Sequence, residues 1–284
     1  MTRAEGIGVA QAGLATVCFS MGAILVRWAA ALSPLEVTSL RMLLGALLVG
    51  GAARATGSRL RLSAAELRRL LPAGVVAAGH FVTFIASLYF TSVAHAVTLV
   101  YTAPLFIAAL SRPVLREPLP ARTLPGSLLA ILGVGILTGL EPQLSARMLT
   151  GDLLALAAAL TFALYSLLGR REREKLPLLA YATWVYLLAG AMTAPFALGV
   201  LRRAVPPAAL LAVAAMAVFP MALGHTLYNA AVRRLHPSIP NLIAMQEATL
   251  AILLAWLLLG ERPSLSALAG AAVTLAGVAL VLKR

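Results

Sequence analysis

The chain has 284 residues, of which 61% are apolar and 12% charged, and its mean hydropathy is +0.93. A soluble domain carries about 25% charged residues, so this composition excludes a water-soluble fold. The net charge of +13 would suggest nucleic acid in a soluble protein, but the basic residues lie mainly in short loops between apolar runs. They indicate membrane topology signals and contacts with lipid headgroups, so we expect membrane lipids and no nucleic acid as partners.

Ten apolar runs, each long enough to cross a bilayer as an α-helix, follow one another along the chain. They lack the alternation of barrel strands, which predicts an all-α membrane protein with ten transmembrane helices. The first run exceeds the length of a signal-peptide core, so we expect it to be retained. The predicted spans are 7–27, 35–53, 72–92, 95–115, 123–140, 152–169, 178–200, 208–232, 238–259 and 264–282.

The distribution of basic residues predicts the orientation of these spans. Seventeen of the 23 lysines and arginines lie on the side of the two termini, five lie on the other side, and Arg41 lies within the second span. Positive charge stays on the cytoplasmic face. We therefore expect a multi-pass protein of the inner membrane with both termini in the cytoplasm.

An internal repeat divides the chain into two halves. Gly126 matches Gly270, Glu117 matches Glu261, and His80 matches His225, all at offsets of 144 or 145 residues. The predicted units are a first five-helix repeat at 7–140, a linker at 141–151 and a second repeat at 152–282. Because five is odd, the second repeat must be inverted, which places a binding site near the bilayer midplane between the halves.

Glu247 lies about nine residues into the ninth span, where a carboxylate costs on the order of 2.5–3.5 kcal/mol unless it faces a cavity or a partner. Three interpretations stay open: it binds a substrate ammonium group, it takes up and releases a proton, or it is a neutral carboxylic acid that joins two helices.

Equivalent polar faces mark the third and eighth spans. Each begins at a histidine and continues at helical spacing, which predicts that the two converge on the pseudo-two-fold axis, although a lone membrane histidine also serves as a helix–helix hydrogen bonder. The faces consist of His80, Thr83 and Phe84, and of His225, Tyr228 and Asn229.

Prolines distort the spans that carry these polar groups. Pro104, beside Tyr101, is expected to kink the fourth span, Pro220 the eighth, and Pro240 the entrance to the ninth. Such kinks are compatible with simple packing, but in the spans that carry the polar groups they suggest a hinge or the wall of a cavity. For Arg41, a structural role is favoured over substrate binding: its side chain is expected to snorkel to the interface and bind loop carbonyl groups.

These residues resemble the drug/metabolite transporter superfamily, specifically its ten-helix EamA-type transporters. The resemblance rests on Ser33-Pro34-Leu35 with Arg41, on Tyr101-Thr102-Ala103-Pro104-Leu105, on Leu259-Gly260-Glu261-Arg262, and on the glycines of the fifth and tenth spans. It implies a central cavity walled by spans 1, 3, 4, 6, 8 and 9.

The resemblance also implies a secondary exporter similar to those for aromatic and other neutral amino acids, although the motifs do not separate these from carriers of drugs or nucleosides. Phe84, Tyr101, Tyr165 and Tyr228 would then surround an apolar side chain, and Glu247 would meet its ammonium group. Protons are candidate coupling ions. The oligomeric state is left open, and a monomer is compatible with the sequence.

Two other functional classes fit the sequence less well. An intramembrane lipid-modifying enzyme would need catalytic or metal-binding motifs, and the sequence offers none, so we predict no catalytic residue, metal or cofactor. A channel usually needs polar rings from several helices, which an inverted repeat with few polar residues does not supply.

Overall fold

The computed structural model describes residues 2–91, 93–138, 145–172, 175–250 and 265–282. Regular structure in these ranges is helical throughout. In chain order the helices are α1 (Arg3–Phe19), α2 (Gly22–Trp28), α3 (Pro34–Ala55), α4 (Ala64–Phe90), α5 (Val93–Val100), α6 (Ala103–Leu115), α7 (Thr123–Thr138), α8 (Ala146–Arg171), α9 (Leu178–Ala197), α10 (Pro207–Met216), α11 (Thr226–Arg234), α12 (Ser238–Ala244) and α13 (Leu265–Leu282). A short helical stretch also occupies residues 246–250.

Most of the chain forms helical segments that are long and apolar enough to cross a bilayer. Within the described ranges seven helical segments meet that standard, and Thr123–Ile136 and Leu268–Leu282 are shorter apolar helices. Many large apolar side chains face outward, as a lipid-embedded surface requires: Leu47 is 71% exposed, Leu211 70% and Leu265 85%. A multi-pass helical membrane protein is therefore confirmed, whereas the count of ten spans stays a prediction.

Three helices begin at capping boxes that the sequence encodes locally. Ser33 accepts a hydrogen bond from the backbone N–H of Glu36, and the Glu36 carboxylate accepts one from the backbone N–H of Ser33. The same reciprocal pattern starts α1 at Thr2 and α4 at Ser63. Because each box satisfies N–H groups that a helix start leaves open, it sets where the span begins.

Several spans are interrupted where prolines were predicted to distort them. The fourth predicted span is interrupted by a two-residue turn at Tyr101–Thr102, and Pro104 lies in the first turn of α6. Pro220 lies inside a π-helical segment, Ala217–His225, that joins α10 to α11. Pro240 lies in the first turn of α12. Irregular backbone at membrane depth is tolerated only where protein or a cavity covers it.

Antiparallel packing of α4 on α8 defines the two ends of the bundle. Arg69, near the start of α4, pairs with Glu172 just beyond α8, with 3.0 Å between Nε and Oε2. Thr91, just beyond α4, donates to Asp152 near the start of α8. We call the end at which α1 and α4 begin the basic end, because it carries most of the arginines, and the other the opposite end.

Glycines bring α7 and α13 into close contact. A Cβ atom added at Gly133 would collide with backbone and side-chain atoms of Thr274, and one at Gly277 would lie 2.6 Å from the backbone nitrogen of Ala130. Helices in lipid associate through such small residues because backbones can then approach closely. The glycine pattern of the fifth and tenth spans thus has a packing role.

Candidate functional site

A cavity lies within the bundle where the two halves of the chain meet. Its lining residues are Phe19, Gly22, Arg41, His80, Phe81, Phe84, Val97, Val100, Tyr101, Phe162, Pro220, His225, Ala244 and Glu247. They come from the six spans that the resemblance implied, plus Arg41 of α3. The free volume is about 60 Å³, enough for a few water molecules.

The cavity lies nearer the opposite end of the bundle. Arg41 is the eighth residue of α3, which begins at that end, and Phe84 lies six residues before α4 stops there. Val97 belongs to α5, which also starts at that end. More of the protein therefore separates the cavity from the basic end than from the opposite end.

The two predicted histidines meet in this cavity. The ring centroids of His80 and His225 are 6.4 Å apart, and each imidazole is 5% exposed. Nδ1 of His80 lies 3.0 Å from the carbonyl oxygen of Ala158. Because a carbonyl oxygen only accepts, Nδ1 of His80 is the donor in this contact. Nδ1 of His225 has no hydrogen-bond partner among the described residues.

Glu247 also faces the cavity, and its carboxylate accepts a hydrogen bond of 2.7 Å from the Tyr101 hydroxyl. This contact joins the two halves at the break between α5 and α6. Tyr101 is 5% exposed, and Glu247 beside it is partly buried and lines the cavity. The turn at Tyr101 therefore places its hydroxyl group against the carboxylate of Glu247 inside the bundle.

Arg41 is the main difference between the sequence expectation and the structure. Its side chain does not snorkel to the interface: the residue is 3% exposed and lines the cavity. The guanidinium carbon lies 4.9 Å from the ring centroid of Phe81, and Nη2 lies 4.0 Å from the sulfur of Met221. The expectation failed because this face of α3 is turned inward, against α9 and the π-helical segment. An ionisable residue within a span was itself the available signal.

Three further aromatic residues, which the sequence reading did not select, complete the walls. Phe162 packs against His80 at 4.8 Å between centroids, Phe81 lies 4.8 Å from the His225 ring, and Phe19 lies 4.7 Å from it. Their apolar character gives no sequence signal that separates them from ordinary core residues. The result is a polar centre inside an aromatic shell.

Other predicted site residues lie outside the cavity lining. Tyr228 and Ser166 exchange a hydrogen bond at 2.7 Å, and Asn241 donates to Tyr228. Asn229 donates to the hydroxyl groups of Tyr165 and Tyr186. We call this group the tyrosine layer; its members are Tyr165, Ser166, Tyr186, Tyr228, Asn229 and Asn241, all at most 1% exposed. The layer lies between the cavity and the basic end.

Thr83 does not line the cavity either. Its hydroxyl donates to the carbonyl oxygens of Gly79 and His80 in its own helix. Among the distorting prolines, Pro220 lines the cavity, whereas Pro104 and Pro240 do not.

The basic end is closed by polar contacts between helix termini. Arg170 pairs with Glu117, with 3.2 Å between Nη2 and Oε2, and donates to the carbonyl oxygens of Val232 and Arg233. His236 lies beside them at 9% exposure, where burial lowers its pKa to about 4. Glu261, the predicted counterpart of Glu117, lies outside the described residues.

No group of three or more histidine, cysteine, aspartate or glutamate side chains that could hold a metal ion occurs in the described ranges.

Comparison with known proteins agrees with the fold and with the internal repeat. The sequence pattern of the EamA-like transporter family matches residues 6–139 and, a second time, residues 149–283. A solved structure, described only as a crystal structure of a protein, is similar with a TM-score of 0.81 and 21% identity, covering 96% of this chain and 95% of its own. At that identity the likeness concerns the fold alone. No curated protein matches the sequence.

Proposed function

Because the chain belongs to the EamA-like transporter family, whose members carry small molecules across membranes, we propose that it exports neutral amino acids through the central cavity by alternating access. The observation that carries the proposal is the cavity itself. His80 and Tyr101 of the first half meet His225 and Glu247 of the second half inside an aromatic shell. Membership of a transporter family also agrees with a role other than catalysis.

The chemistry of the lining suits an amino acid with an apolar side chain. The rings of Phe19, Phe81 and Phe162 offer apolar faces, and the Glu247 carboxylate offers an acceptor for an ammonium group. Binding sites of this kind combine an apolar surface with a few placed polar groups. Aromatic walls also suit the planar rings of nucleosides and drugs, which are the alternative substrates.

The small size of the cavity supports alternating access. A volume that holds a few waters does not hold an amino acid, so helices must separate before a substrate enters. The tyrosine layer and the Arg170–Glu117 pair close the path toward the basic end. We propose that this end faces the cytoplasm of the inner membrane and that loading requires both barriers to open.

Transport by the purified protein in liposomes tests the proposal. Saturable counterflow of labelled phenylalanine or leucine is expected for the wild type, with loss in Glu247→Gln and His80→Ala. Glu5→Gln is a matched control, because it removes a carboxylate at the start of α1, where glutamine also completes a capping box. A pH gradient imposed across the liposomes reports proton coupling.

Counterflow of nucleosides or cationic drugs without any counterflow of amino acids would refute the proposed substrate class. Full transport by both cavity variants would refute the proposed site.

A further inference from the structure

We propose that Arg41 binds the carboxylate of the transported molecule, and that with Glu247 in the same cavity it selects α-amino acids in their zwitterionic form. The inference deepens the proposed function and rests on it. It assigns a role to a residue that the sequence suggested was structural, and it names the chemical class of substrate: a carboxylate and an ammonium group on one small molecule.

The burial of Arg41 is the first observation. The guanidinium is 3% exposed, lines the cavity and cannot reach the lipid headgroups. Its Nε has no hydrogen-bond partner among the described residues. A buried cation without an anion is costly, and intramembrane charges of this kind commonly mark substrate pathways.

The guanidinium group of Arg41 is available to pair with a substrate carboxylate. No carboxylate of the described ranges lies within ion-pairing distance of Arg41. The nearest acid along α3, Glu36, is engaged by Arg203, with 2.7 Å between Nη2 and Oε2. Instead, Arg41 rests on the Phe81 ring at 4.9 Å, an arrangement that holds the side chain in place and keeps its planar fork within the cavity.

Glu247 supplies the complementary charge. The Tyr101 hydroxyl occupies one of its oxygens, and a carboxylate has further acceptor sites for an ammonium group. Glu247 and Arg41 line the same cavity, and the two side chains form no direct ion pair. The cavity thus offers a cation and an anion that do not contact each other. A zwitterionic ligand can bridge them, because its carboxylate pairs with Arg41 and its ammonium group with Glu247.

Other ligand classes fit this pair less well. A simple carboxylate or a phosphate would meet Arg41 but would be repelled by the anion of Glu247. A simple amine would meet Glu247 and leave the buried guanidinium without a counter-ion. An α-amino acid neutralises both groups at once, and a bidentate guanidinium–carboxylate contact adds geometric selectivity.

Competition for counterflow in proteoliposomes tests the inference with three probes: labelled L-phenylalanine, its amide, which lacks the carboxylate, and 3-phenylpropionate, which lacks the ammonium group. If leucine is transported better, leucine, its amide and 4-methylpentanoate replace them. In the wild type we expect both analogues to compete about 100-fold more weakly than the amino acid, since each loses a charge-assisted contact.

Variants separate recognition from folding. Arg41→Gln is expected to weaken competition by phenylalanine about 100-fold while changing competition by the amide less than about threefold. Arg41→Lys keeps the charge and should retain part of the preference for the acid over the amide. Arg54→Gln is the matched control, because Arg54 is an exposed arginine of the same helix. Because Glu247→Gln is expected to lose transport, it is tested by competition for binding of labelled phenylalanine to the purified protein, where it should lose the preference for phenylalanine over 3-phenylpropionate.

The outcomes distinguish this inference from the proposed function. Counterflow of phenylalanine or leucine with equal competition by the amide would overturn the role of Arg41 and leave an amino-acid exporter. The absence of counterflow for any amino acid would overturn both. If Arg41→Gln does not fold, the wild-type selectivity together with Arg41→Lys and Glu247→Gln decides the question.

Discussion

Replacing Arg170 by glutamine should open the basic end of the bundle. The Arg170 side chain is 14% exposed and that of its partner Glu117 27%, so solvent screens the pair only partly. Arg170 also donates to the carbonyl oxygens of Val232 and Arg233, which ties α6, α8 and α11 together. Glutamine is shorter and uncharged, and it cannot make these contacts together.

The size of the effect follows from these contacts. A hydrogen bond to a charged group contributes about 1.5–3 kcal/mol, and a partly exposed pair lies at the lower end of that range. If the open state lacks the contacts, Arg170→Gln favours opening by about 2 kcal/mol, which is a roughly 30-fold change in population. Glu117→Gln should also favour opening. The effect of the double variant on the free energy of opening should be smaller than the sum of the two single effects.

The reactivity of a buried thiol reports this opening. Ala163 of α8 is fully buried against α6, two turns from Arg170 on the side of the cavity. Ala163→Cys in a Cys18→Ser background therefore places a single thiol on the inner side of the Arg170–Glu117 contact. When opening is fast relative to labelling, the rate follows the open population, and we expect Arg170→Gln to raise it about 30-fold. Arg171→Gln, an exposed neighbour, should leave the rate unchanged. A correctly folded Arg170→Gln protein with an unchanged rate would refute the reasoning.

Three further predictions concern the cavity, the glycine contact and the basic end. Tyr101→Phe removes the hydrogen bond to Glu247 and should raise the transport KM about tenfold, and an unchanged KM would show that the bond is dispensable. Gly133→Val introduces a clash between α7 and α13 and should lower the melting temperature in detergent by several degrees. Gly51→Ala should not, because a Cβ atom there meets nothing within 4 Å. Equal melting temperatures of the two variants would contradict the glycine contact. Because burial lowers the pKa of His236 to about 4, the unfolded state binds more protons in acid; stability should fall from pH 7 toward pH 4 and fall less in His236→Gln, so identical pH profiles would argue against a buried neutral imidazole.

The helical membrane architecture could be predicted because bilayer thickness constrains the sequence directly. Runs of about 20 apolar residues, prolines in the connections and capping residues each act locally, so they can be read without knowing the partners of a helix. The interruption at Tyr101–Thr102 was harder to predict from the sequence. A proline predicts a distortion at Pro104, but whether the helix bends or stops depends on the neighbours that satisfy its freed backbone groups.

The polar centre of the cavity could be predicted in part. His80, His225 and Glu247 were visible because ionisable groups are rare within apolar spans. The inward direction of Arg41 was not, since a position two turns inside a helix is compatible with both an interface and a cavity. Tyr165 and Asn229 lie in the tyrosine layer and not in the cavity lining, so their contact with substrate stays a prediction. Spacing along one helix does not show how deep a cavity extends.

The central claim is that His80, His225 and Glu247 face one water-accessible cavity and not the lipid. Single cysteines at these positions in a Cys18→Ser background, treated with a small charged thiol reagent in membranes, test it most directly, since only a hydrated thiol ionises and reacts. We predict labelling at all three positions and none at Leu47→Cys or Leu211→Cys, which are outward-facing controls. Labelling of the two controls together with no labelling at the three cavity positions would contradict the account.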